Sequence, residues 1–114
     1  MKLSFQSVGN VQVVVVEEPR IDAHATAGLK SEVGARLSGH AHLILDLGRV
    51  EFVDSSGLAA FLSLMKRLPP PGQLALCGCS APIRDILALT RLDRIFNVAD
   101  DSAQALAALG ASTR

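Results

Sequence analysis

At 114 residues the chain is long enough for one domain with a proper hydrophobic core and too short for a second. Nearly half of it is apolar, yet many of those residues are alanine and only four, all phenylalanine, are aromatic, so the core is expected to be aliphatic and no base-stacking platform is visible. Eleven basic residues balance eleven acidic ones and the arginines are scattered, which argues against nucleic acid as a direct partner.

From the N-terminus, Leu3, Phe5 and Ser7 alternate with Lys2, Ser4 and Gln6, and Val8-Gly9-Asn10 offers a turn before the run Val13-Val14-Val15-Val16. This pattern predicts an opening hairpin. The same stretch carries one lysine and is broken by Gln6, Asn10 and Gln12, so it has no signal-peptide core, and nothing in the chain approaches a transmembrane length. A cytoplasmic location without membrane insertion is expected. Asp22 is placed to cap a helix bearing Leu29, Val33 and Leu37 and ending near Gly39.

Leu43-Ile44-Leu45 reads as a buried strand, followed by Asp46-Leu47-Gly48-Arg49-Val50-Glu51-Phe52-Val53-Asp54-Ser55-Ser56-Gly57-Leu58. Beyond it, Leu58, Phe61, Leu62 and Met65 have the spacing of one helical face, and the helix should stop at Leu68 before Pro69-Pro70-Pro71-Gly72. Leu74, Leu76 and Gly78 alternate with Ala75, Cys77 and Cys79, as in a further strand. The two cysteines would then share a face and act as small buried hydrophobes, since no His or Asp accompanies them at zinc-ligand spacing. Neither a metal nor a cofactor is expected. Ser80 can cap a third helix with Ile83, Ile86, Leu87 and Thr90 along one stripe. A short strand near Ile95 to Val98 and a last helix bearing Leu106 and Leu109, capped from Asp100, Asp101 or Ser102, complete the order. Strands joined by helical crossovers return in the same direction. The expected fold is therefore an α/β domain with a mixed, mostly parallel sheet of four to five strands and about four helices.

The serine pair lies where a strand gives way to a helix. Unpaired backbone N–H groups and the helix dipole favour negative charge there. One cap needs one acceptor, but Asp54, Ser55 and Ser56 crowd before Gly57, and an oxygen on either serine is a candidate cap. A hydrolase elbow fails on spacing, because the first glycine of G-x-S-x-G would fall at Val53, and His24, His40 and His42 lie in earlier elements. A phosphoacceptor receiver site also fails. Glu17 and Glu18 mimic its acidic pair, but Lys2, Lys30 and Lys66 are the only lysines and none ends a late strand.

The run Asp46 to Leu58 closely resembles the D-L-x-x-V-x-x-x-D-S-[ST]-G-L signature of STAS domains, in particular the bacterial anti-sigma factor antagonists. Ile21-Asp22 resembles the family's second motif, and Thr90-Arg91-Leu92 with Phe96 resembles its Thr-Gly-Leu segment. The resemblance runs through the element order of nearly the whole chain and implies one STAS domain over residues 1–114. It implies a non-enzymatic binding switch whose unphosphorylated form binds a serine-kinase anti-sigma factor and releases sigma. The kinase would phosphorylate the first serine after the motif aspartate, Ser55, with Ser56 the second choice, and a PP2C-type phosphatase would reverse it. Ser56 would then serve as the cap. Asp22 and Asp54 would border the phosphosite, with Ser56, Gly57 and Leu58 facing the kinase. Ala59, Ser63 and Lys66 lie on the helix face away from the apolar stripe and are candidate partner contacts, and a monomer or weak dimer is expected. The alternative is a constitutive STAS subunit of a larger assembly, such as a lipid-transport ABC complex. Pro19 and Arg91 stand where the family usually has glycine.

Overall fold

The computed structural model describes residues 1–110. The N-terminal alternation forms an antiparallel hairpin of β1 (Leu3–Val8) and β2 (Val11–Val16), with Val8 opposite Val11 and a left-handed Gly9, φ 59°, in the turn. β3 (Arg20–Ile21) leads into α1 (Ala23–Gly34), followed by β4 (His42–Asp46), β5 (Phe52–Val53) and α2 (Ser55–Lys66). Then come β6 (Leu74–Cys77), α3 (Ala81–Leu89), a 3-10 turn at Leu92–Arg94, β7 (Asn97–Ala99) and α4 (Ser102–Ala108).

Five strands form one sheet in the order β1-β2-β4-β6-β7, antiparallel at the hairpin and parallel elsewhere. Side chains alternate across it. Val14, Val16, Leu43, Leu45, Leu74 and Leu76 pack against α1, α2 and α3, whereas Val11, Val13, Ile44 and Ala75 pack against Ala105 and Leu109 at α4. The one buried polar side chain among the described residues, Gln12, donates its amide to the carbonyls of Gln6 and Val13, 3.2 Å each. The α/β class, the five-stranded mixed sheet, the hairpin and the four helices are as expected.

Several local expectations are corrected. Helix α1 stops at Gly34 rather than near Gly39, where Arg67 reaches over Gly34 and donates to the Lys30 carbonyl at 3.3 Å, although Leu37 is still buried. The buried stripe of α2 is Gly57, Leu58, Ala60, Phe61 and Leu64, while Leu62 and Met65 are half-buried. Small Gly57 and Ala60 let the helix settle closer on that side. Ser80 stands at the N-cap of α3 but makes no side-chain cap bond, and its buried hydroxyl has no partner among the described residues. The seventh strand starts at Asn97, leaving Ile95 exposed. Cys77 and Cys79 do not share a face, because β6 ends at Cys77 and Gly78 turns with φ 69°. Cys77 joins the α4 side of the core and Cys79 the opposite side, and burial pushes the Cys77 thiol up to about 12 and raises that of Cys79.

Arg91 follows α3 in the left-handed region at φ 60°, the conformation the usual glycine adopts at no steric cost. Its side chain is exposed. Arg91→Gly is therefore expected to stabilise the fold by about 0.5–1 kcal/mol, relief of the Cβ clash outweighing the extra entropy of the unfolded chain. In a thermal melt followed by circular dichroism this is a rise of roughly 2–5 °C.

Candidate functional site

The site is built by two strands too short to show any periodicity. After β4, Asp46 accepts from the Gly48 amide at 2.9 Å, and the chain turns through buried Leu47 and Val50. The Pro19 carbonyl then receives the amides of Glu51 at 2.8 Å and Phe52 at 3.2 Å, so Pro19 starts the pairing of β3 with β5. That pairing is parallel, with Arg20 opposite Phe52 and Ile21 opposite Val53. Each strand continues one residue further, in extended conformation, into an aspartate that caps a helix. Two helices of twelve residues each thus begin side by side at the same level.

Asp22 accepts from the His24 amide at 3.0 Å and caps α1. Asp54 accepts from the Gly57 amide at 3.1 Å and caps α2, while its own amide donates to the Ile21 carbonyl at 3.2 Å. The Ser56 hydroxyl donates to the same Asp54 oxygen at 2.5 Å. Asp54 is therefore the cap, and Ser56 steadies the cap instead of supplying it. Ser55 is the first residue of α2, its side chain is exposed, and among the described residues its hydroxyl makes no hydrogen bond.

The Ser56 hydroxyl, helped by the amides of Gly57, Ser56 and Ala23, holds the Asp54 carboxyl below its ordinary range. Ala23 opens α1, so this carboxylate faces both helix starts. A carboxyl depressed in the folded state contributes stability that is complete above about pH 4 and is lost as pH falls through the lower folded value. Melting temperatures taken from about pH 7 down to about pH 3 should fall on this limb for the native chain, and less steeply for Asp54→Asn.

Gly57 has a physical reason to be glycine. A Cβ there would lie 2.7 Å from Val53 Cγ1 and 3.0 Å from both Ile21 Cγ2 and the Ile21 carbonyl oxygen. The first turn of α2 rests directly on the β3–β5 pair. Gly57 and Leu58 are buried, which corrects the expectation that they face a partner: they position the turn from beneath. Ser55, Ala59 and Ser63 are exposed, and Asp22, Asp54 and Ser56 are half-buried.

Sequence reasoning missed the neighbouring pair, Arg20 and Phe52. The Arg20 guanidinium lies 4.6 Å from the centroid of the Phe52 ring, and Phe52 is 41% exposed. No group of three or more His, Cys, Asp or Glu side chains among the described residues is arranged to hold a metal ion. No helix among them is long and apolar enough to cross a membrane.

These features define a small α/β domain that displays a doubly acid-capped pair of helix starts at one end of its sheet. The chain belongs to the STAS domain family, whose model matches residues 2–105. It is 29% identical over 110 residues to BtrV of Bordetella bronchiseptica, described as an anti-sigma factor antagonist, and the match covers 95% of this chain and 94% of BtrV. The crystal structure of an anti-sigma factor antagonist from Mycobacterium paratuberculosis has a TM-score of 0.85 at 25% identity, covering 96% of this chain and 93% of the other. The fold is also that of Bacillus SpoIIAA in its phosphorylated form, with a TM-score of 0.69 at 20% identity and coverage of 94% and 98%.

Proposed function

We propose that this protein is an anti-sigma factor antagonist that acts by partner switching. Unphosphorylated, it binds a serine-kinase anti-sigma factor and so frees the sigma factor. Phosphate placed on Ser55 by that kinase ends the complex, and a PP2C-type phosphatase restores it. The role is binding, not catalysis, and takes place in the cytoplasm.

The observation that carries this reading is the division of labour at the start of α2. Asp54 and Ser56 are engaged with each other, whereas Ser55 stands exposed with an uncommitted hydroxyl. The near full-length similarity to BtrV supports the class of partner. A phosphoserine brings about −1.5 to −2 charges and would sit at the positive end of α2, which the fold tolerates. A partner docked there would instead meet that charge added to Asp54 and Asp22.

The test is phosphorylation with the cognate serine-kinase anti-sigma factor and ATP, followed by peptide mapping in the mass spectrometer. One phosphate on Ser55, absent from Ser55→Ala, is expected. Label on Ser56 alone, or none, would overturn the assignment.

A further inference from the structure

The exposed face of the β3–β5 pair carries a feature that capping does not explain. Residues alternate along these short strands, so Ile21 and Val53 are buried while Arg20 and Phe52 stand on the outer side with the half-buried Asp22 and Asp54. Parallel register puts Arg20 against Phe52 two residues before the two caps. Phe52 is one of three large hydrophobic side chains exposed among the described residues. Arg20 stacks on its ring and makes no ion pair among the described residues, so its N–H donors stay free. Phe52 also lines a groove of about 100 Å³ together with Glu51, Val53, Pro82, Ile83 and Ile86.

We infer that the Arg20–Phe52 stack is an anchor of the kinase-binding surface, resting on the partner-switch reading above, and that it helps select which kinase is bound. Arginine and aromatic residues carry a disproportionate share of binding energy when the partner seals them from water. Here the ring stacks with the guanidinium and also lines a largely apolar groove. Glu18 and Asp22 line one shallow cavity together with Arg20, and Glu51 lines the groove beside Phe52, so the rim of this face is largely acidic. The fitting occupant is therefore a segment of the kinase with an aliphatic side chain for the groove, basic groups for the rim, and an acceptor for Arg20. Phe52 lies three residues before Ser55, so one partner spans both. Phosphate at Ser55 then acts on a surface whose apolar anchor is unchanged. This separates how tightly the partner holds from whether it is allowed to hold.

The experiment compares the native chain with Phe52→Ala, Arg20→Glu and Leu89→Ala for affinity to the kinase that labels Ser55, with thermal melts confirming that each variant is folded. Leu89 is 84% exposed at the far end of α3 and serves as the control. Phe52→Ala and Arg20→Glu should each weaken binding at least tenfold, while Leu89→Ala matches the native chain. Should a melt show Phe52→Ala unfolded, Arg20→Glu, which alters only an exposed side chain, decides alone. Native affinity in the folded anchor variants would overturn this inference and leave the Ser55 switch standing. A native chain that the kinase neither binds nor labels would overturn both.

Discussion

Ser55→Asp is expected to bind the serine-kinase anti-sigma factor at least a hundredfold more weakly than the native chain while melting at or slightly above the native temperature. The two halves of this result have separate causes. Within the fold, position 55 is the first residue of α2 and exposed, at the positive end of the helix dipole, where a carboxylate is worth about 0.3–1 kcal/mol to the helix. Across the interface the same carboxylate joins the Asp54 carboxylate and Asp22 at the same level of the neighbouring helix start. A hundredfold loss corresponds to about 2.7 kcal/mol, within reach of one added charge in a partly desolvated contact. The phosphorylated chain, with nearly twice the charge, should bind more weakly still. Ser55→Ala should bind like the native chain and resist inactivation by the kinase. Titrations at two salt concentrations add a check, because the gap between Ala and Asp variants should narrow as salt rises. Equal affinity of both variants would instead fit a constitutive STAS subunit of a larger assembly.

The elements that build this site differ in how far they can be read from the chain. The hairpin, the valine and leucine strands and the helix after Ser55 are legible because a period of two or of 3.6 repeats several times in each. The β3–β5 pair is not, since two residues give no period and its order depends on the Pro19 carbonyl meeting the amides of Glu51 and Phe52. Asp22 and Asp54 are visible as helix starts, yet their side-by-side placement follows only from that pairing. Crowding of polar groups before Gly57 signals a special helix start, but composition cannot say which oxygen caps. Geometry assigns that role to Asp54 because its carboxylate alone reaches the Gly57 amide. Arg91 shows the opposite case: a left-handed position is filled by a residue that hides it, and only its place in the Thr-Arg-Leu segment hints at the backbone beneath.

Phe61→Ala should cost about 3–5 kcal/mol, a large part of the 5–15 kcal/mol typical of a domain. Phe61 is fully buried, and its ring meets Phe96 edge to face at 6.3 Å between centroids and 76° between planes. With four phenylalanines and no tyrosine or tryptophan, half the aromatic residues of the chain meet at this one contact. It ties α2 to the segment between α3 and β7, two parts of the fold far apart in sequence. Truncation removes the largest side chain of the α2 stripe, the ring pairing and the filling between them, and neighbouring aliphatic residues recover little of that volume. Phe61→Leu keeps most of the volume and should cost less than half as much. Urea unfolding would register the alanine change as a midpoint lowered by about 1–3 M with an unaltered slope. The cap at the start of α2 is formed by Asp54, Ser56 and the Gly57 amide, all outside this contact. Folded Phe61→Ala should therefore still accept phosphate at Ser55 well below its melting temperature. Loss of labelling in step with loss of stability would mean that the helix start depends on the aromatic pair after all.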